Sequence, residues 1–217
     1  MMDDTVLSKL TQKVNHPPPF SATELESITT LSLRHARTLE GLGQCTRLEI
    51  LILTGCDMAS LSDPLSGISS LTALVCHDSA LSDIGGLADA QIGRMDLQRN
   101  LITDLSPLID YPALQRIDVT GNPLSVESYR FIIGRLQDRG CLVRNSGERE
   151  WAINLRMHEL DLPFSYYLDA KGYRLCRPGL GLTDLPEANH PIINPNDLEM
   201  LLSKDPSLVS TFFDKRA

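Results

Sequence analysis

The chain has 217 residues, 42% of them hydrophobic, with 28 acidic side chains against 20 basic ones and a formal net charge of −8. An acidic balance disfavours nucleic acid, whose phosphates need clustered Lys and Arg, and no apolar run is long enough to span a bilayer. The five cysteines are an odd number and read as reduced, buried thiols of a cytoplasmic protein; MMDDTVLSKL lacks the basic segment and apolar run of a signal peptide.

The first predicted element is an amphipathic helix over 5–14, with Val6, Leu10 and Val14 on one face, broken by HPPP. Ser21 with Glu24 three residues on is a capping-box signature. A pattern Leu-x-x-Leu-x-Leu-x-x-(Asn/Cys)-x-Leu then recurs. Its degenerate first copy uses Ile28, Leu31, Leu33, Ala36 and Leu39. The second uses Leu48, Leu51, Leu53, Cys56 and Met58, and the third Leu71, Leu74, Cys76, Ser79 and Leu81. The fourth runs from Ile92 through Met95, Leu97, Asn100 and Ile102 to Leu105, and the fifth uses Leu114, Ile117, Val119, Asn122 and Leu124. The starts lie 20, 23, 21 and 22 residues apart, a period that predicts stacked coils.

Within each copy the second and third apolar positions are two apart, so they share one face of a short strand and point into the stack. One coil cannot bury that face alone, so neighbours must cover it. The Asn position closes the turn after the strand, where its amide can bond backbone from coil to coil. Ser79, Cys56 and Ala36 fill that slot in earlier copies, so the ladder should weaken toward the N-terminus. Return segments such as DLSPLIDYPA are too short for a full helix and read as turns and 3₁₀ pieces.

After Pro123, Ser125 can cap a helix to about Arg139 with Tyr129, Ile132, Ile133 and Leu136 as its apolar stripe. Gly140 ends it and CLV adds a last strand. Beyond lies EREWAINLRMHEL, a helix with Trp151, Leu155 and His158 near one face. FSYYLDAKGYRLCRPG reads as a hairpin turning at DAKG. NPNDLEMLLS and DPSLVSTFFDK each open with a capping residue followed by Pro and read as two short helices.

Residues 20–143 resemble the 22-residue leucine-rich-repeat subclass of bacterial internalins and a regulatory subunit of protein phosphatase 1, and the terminal helix and strand resemble bacterial C-terminal caps. The resemblance implies an α/β solenoid of about five repeats over 28–124. A helical cap over 1–27, a capping helix and strand over 125–143, and an α+β extension over 144–217 complete the organisation.

In such repeats the residues between the core leucines line the concave strand face. One lane carries Thr30, Ile50, Ala73, Arg94 and Arg116; the next Ser32, Ile52, Val75, Asp96 and Asp118. Outward of these come Arg34, Thr54, His77, Gln98 and Thr120, then His35, Gly55, Asp78, Arg99 and Gly121. Ile50, Ile52, Ala73 and Val75 form an apolar patch, which the tail or the N-terminal helix could instead cover. Beside it lie Arg94, Asp96, Arg116 and Asp118, which as self-neutralising Arg–Asp pairs would contribute little. The expected partner surface is Ile50, Ile52, Val75, His77, Arg94, Asp96, Arg99, Arg116 and Asp118. Five strands about 4.8 Å apart and four exposed residues per strand give only about 260 Å², against about 800 Å² per side of a standard interface. Strand-end loops or the tail should therefore contribute.

Catalytic and metal constellations are sparse. Glu187 and His190 have the i, i+3 spacing of some metal ligands, but one pair between prolines is not a site. Cys176 reads as a packed thiol rather than a nucleophile. The expectation is a non-enzymatic, cytoplasmic protein-binding module, monomeric when unbound and with no cofactor, metal, nucleic acid or membrane. It would act as a scaffold or adaptor, with an immunity-type toxin inhibitor or an enzyme built on the tail as alternatives.

Overall fold

In the computed structural model, which describes residues 2–61, 65, 68–87 and 91–214, the repeat positions become one parallel sheet. Strands β1 (Thr30–Arg34), β2 (Ile50–Thr54), β3 (Ala73–His77), β4 (Arg94–Asp96), β5 (Arg116–Asp118) and β6 (Leu142–Arg144) lie side by side in sequence order. The register is the one the repeat demands: Leu31, Leu51, Leu74, Met95, Ile117 and Val143 are successive partners. Leu33, Leu53, Cys76, Leu97 and Val119 are buried with the first five in one continuous core, against which Val143 packs half-buried. Burying one Leu side chain contributes roughly 1.5–3 kcal/mol, so the stack of leucines is the main source of stability.

The side chains after the strands form the expected polar ladder. Nδ2 of Asn122 donates to the Leu97 and Val119 carbonyls at 2.8 and 3.0 Å, while its Oδ1 accepts the Ile102 amide at 3.1 Å. Nδ2 of Asn100 donates to the Cys76 and Leu97 carbonyls at 2.7 and 3.0 Å. Ser79 accepts the Cys56 amide and donates to the His77 carbonyl. Cys56 donates to the Thr54 carbonyl at a long 3.6 Å. The ladder thins toward the N-terminus as the side chains shorten. 3₁₀ turns at Leu42–Gln44, Gly85–Leu87 and Ser106–Leu108 carry the chain back.

At one end α1 (Asp4–Val14) lays Val6 and Leu10 on the first coil. Asp3 caps it through Oδ1, and Oδ2 accepts the Arg37 and Thr38 amides, tying helix to coil. The capping box of Ser21 and Glu24 opens α2 (Ala22–Glu26). At the other end the helix begins in a π turn, Ser128–Ile132, and continues as α3 (Ile133–Asp138). Ser128 is buried and accepts the Leu105 amide at 3.0 Å, an inward demand that the apolar stripe alone does not reveal.

A second core forms between Ile153 and Phe213. Helix α4 (Glu148–Glu159), hairpin β7–β8 (Ser165–Asp169 and Gly172–Cys176) and α5 (Pro195–Lys204) enclose Ile153, Met157, Phe164, Tyr166, Leu175, Leu198 and Leu202. The buried face of α4 is Trp151, Ile153, Asn154 and Met157 rather than Trp151, Leu155 and His158; His158 is exposed. Asn154 explains the rotation: its amide bonds both the nitrogen and the carbonyl of Tyr166 and so must face the hairpin. The last segment is a 3₁₀ turn, Pro206–Val209, followed by α6 (Thr211–Asp214), and Lys215 of the expected helix lies outside the described residues.

Candidate functional site

The parallel register sets the concave lanes. Ile50 pairs with Ala73, Ala73 with Arg94, and Arg94 with Arg116; Ile52 pairs with Val75, Val75 with Asp96, and Asp96 with Asp118. Ile50 is 37% exposed, and Ile52, Ala73 and Val75 are half-buried, so among the described residues no other segment seals the apolar patch. β6 adds Leu142, 70% exposed, beside Arg116, and Arg144 beside Asp118. Five repeats alone would end the face at β5.

The charged half is not a set of Arg–Asp pairs along each strand. Asp96 lies 2.8 Å from Nε2 of His77, a close electrostatic contact rather than an aligned hydrogen bond, and accepts from Gln98 at 2.9 Å. Asp118 is buried; it accepts the amide and hydroxyl of Thr120, with Nε of Arg144 at 3.6 Å. Arg94 and Arg116 stand exposed in adjacent register, with no ion pair among the described residues.

The outermost lane behaves differently. His35, Gly55, Asp78, Arg99 and Gly121 all take positive φ, between +52° and +79°, as the chain leaves each strand. The tail runs along this row and covers it. Ser165 donates to the Gly121 carbonyl at 2.6 Å, and the guanidinium of Arg99 lies 4.9 Å from the Tyr167 ring centre. The Gly179 amide donates to the Asp78 carbonyl, and Glu187 meets both His35 and Arg34. A Cβ on Gly55 would lie 2.6 Å from a Glu187 oxygen and 2.9 Å from Pro186. Glycine is required there twice, for φ and for the approach.

This belt removes Arg99 from the open surface. Its Nε and Nη2 hold the two oxygens of Asp78 at 2.5 and 3.2 Å. Around the pair sits a buried polar cluster. The Cys176 thiol donates to Oδ1 of Asp78 at 3.1 Å. Nε2 of His190 lies 3.1 Å from the Pro186 carbonyl and 3.8 Å from Oδ1 of Asp78; its Nδ1 lies 2.7 Å from the Tyr167 hydroxyl. Those partners define a neutral imidazole donating from Nε2 and accepting the Tyr167 proton at Nδ1. Burial pushes His190 below its ordinary value, Tyr167 up to about 12 and Cys176 well above the usual thiol range. Burial opposes ionisation of Asp78, but Arg99 outweighs it and holds the carboxyl below its usual value. A fully buried, protonated thiol is a poor nucleophile.

Glu187 and His190, read together in sequence, go to different partners: Glu187 to the first coil, His190 to the third. The cluster itself joins residues 98 positions apart, from segments with no shared period, so no spacing signal marks it. A cleft of about 720 Å³ between the return segments of the first two coils, lined by Arg37, Met58 and neighbouring backbone, contains none of these residues.

No protein-family model and no curated protein matches the chain. Among solved structures it is similar to internalin InlF of Listeria monocytogenes, with TM-score 0.51 and 19% identity over 70% of this chain and 53% of that one. Internalin C2 of the same organism aligns at TM-score 0.46 and 18% identity, over 71% of this chain and 80% of that one. The chain thus spans about half the length of InlF. Taken with the six-stranded parallel sheet, the first likeness identifies the fold as that of leucine-rich repeats.

Proposed function

We propose that this chain is a non-catalytic protein-binding module that holds its partner on the concave strand face. Five 22-residue repeats over 28–124 stand between caps at 1–27 and 125–143, and 144–217 is an extension that walls one edge of the face. The observation that carries the reading is the half-exposed apolar patch of Ile50, Ile52, Ala73 and Val75 beside exposed Arg94 and Arg116. A desolvating anchor beside a charged rim is the usual anatomy of a protein interface. The candidate surface is Ile50, Ile52, Val75, Arg94, Asp96, Arg116 and Asp118, with His77 at its border and Leu142 and Arg144 added by β6; Arg99 is given to the tail. Five free, buried cysteines suit a reducing, cytoplasmic setting. A scaffold or adaptor role follows most directly. The fully buried thiol of Cys176 argues against a thiol enzyme built on the tail.

The test is partner capture with the full chain, followed by binding calorimetry on the isolated pair. Ile52→Arg with Val75→Arg should leave circular dichroism unchanged and weaken binding by roughly 2–4 kcal/mol, the range of lost hot-spot contacts. Normal binding by a folded double variant would move the interface elsewhere.

A further inference from the structure

We propose that Asp78, Cys176 and His190 form a three-residue site for a zinc-class divalent cation that clamps the C-terminal extension onto the third coil. All three side chains are buried, and one ligand atom from each lies within 4.8 Å of the others. Oδ1 of Asp78 is 3.1 Å from the Cys176 sulfur and 3.8 Å from Nε2 of His190. Metal–ligand bonds of about 2.0 Å to N and O and about 2.3 Å to S put the edges of a tetrahedron at roughly 3.3–3.6 Å. The Asp78–Cys176 edge is shorter than that range, the Asp78–His190 edge is longer, and the Cys176–His190 edge lies within 4.8 Å, so closing the site takes side-chain shifts at all three residues.

The hydrogen bonds mark where the ion goes. Oδ1 of Asp78 uses one lone pair for Nε of Arg99 and the other for the Cys176 proton. The cation takes the place of that proton: the S–H bond breaks, the thiolate and the freed lone pair bind the ion, and the proton leaves to solvent. At His190 the Nε2 proton is exchanged for one on Nδ1, and the Tyr167 hydroxyl turns from donor to acceptor, a role a phenol fills equally well. Tyr167 then fixes the imidazole as a second-shell partner. Arg99 holds the carboxylate in place through its two contacts, at 2.5 and 3.2 Å. The S, N, O donor set selects zinc over magnesium or calcium. A solvent ligand completes the fourth position; the side chain of His190, 7% exposed, marks its side of approach.

The experiment uses the full chain stripped with a chelator and titrated with Zn²⁺, with Mg²⁺ as control and Co²⁺ as spectroscopic probe. Expected are about one Zn²⁺ per chain, a rise in melting temperature that chelator reverses, and a thiolate-to-Co²⁺ charge-transfer band. Cys176→Ser should abolish the band, Cys141→Ser should keep it, and Tyr167→Phe should weaken Zn²⁺ by roughly ten- to a hundredfold. Absence of Zn²⁺ binding, or Co²⁺ binding without a thiolate band in the unmodified chain, overturns the proposal whether or not the variants fold. The cluster is then a hydrogen-bonded latch alone.

Discussion

A carboxylate at position 97 would sit in the middle of the continuous core, where Leu97 is fully buried between the third and fifth coils. Leu97→Asp removes apolar packing and strands a buried charge, costing on the order of 4 kcal/mol or more. A typical domain has only about 5–15 kcal/mol in total. Thermal melting should show near-complete loss of the folded state at physiological temperature; a shift of a few degrees would contradict the register. A second residue sets the response to pH. Burial lowers the pKa of His190 in the folded chain below the free-imidazole value of about 6.5. The unfolded chain then binds more protons, so stability is full above that value and declines as pH falls toward the lowered folded value. Asp78 acts further down: its contribution is present above the free carboxyl range and is lost as pH falls through its depressed folded value. Melting temperature should fall as pH drops through the free-imidazole value of about 6.5, and His190→Gln should flatten that part of the curve. An equally steep curve in the variant would assign the effect to other histidines.

Among the elements, the extension is joined to the solenoid as well as to itself. Trp151 stacks on Tyr129 with ring centres 4.0 Å apart, and its indole donates to the Leu124 carbonyl at 2.7 Å. Truncation after Val143 removes this lid along with Ser146, which accepts the Gly121 amide, and uncovers the positive-φ row. The truncated chain should melt lower and lose solubility; an unchanged melting temperature in a monomer would mean the extension contributes nothing to the repeats. Gly55→Ala probes the same contact from the repeat side. It should destabilise by about 1–2 kcal/mol from left-handed strain alone, and more where Glu187 and Pro186 are pushed away. The repeats were legible because their period writes each strand and core position several times. The course of the extension was not: Glu187 meets His35 across 152 positions, through single contacts that leave no periodic trace. α4 shows the same limit, since Trp151 and Leu155 suggest one face until the Asn154–Tyr166 bonds choose another.

At the scale of the molecule, a net acidic protein presents two exposed arginines side by side on its concave face. The lane positions of Arg94 and Arg116 follow from the repeat alone. Their lack of ion-pair partners among the described residues does not, because Asp96 and Asp118 turn to His77, Thr120 and Arg144. Arg99 illustrates the converse: its lane was readable, but the segment that covers it comes from the C-terminal extension, outside the repeat period. Stacked like charges repel, and a partner with acidic groups relieves that repulsion on docking. Such a rim acts mainly on association rate and its salt dependence, whereas the apolar anchors govern dissociation. Arg94→Glu with Arg116→Glu should therefore leave melting nearly unchanged. Association with the partner should slow, and the fall of the association rate with added salt should become shallower or reverse. Stopped-flow association across a salt series, on the same pair used for calorimetry, reads both quantities. If the rate and its salt dependence match the unmodified chain while Ile52→Arg with Val75→Arg still weakens binding, the partner sits on the apolar half alone. The arginines would then be a solvated face.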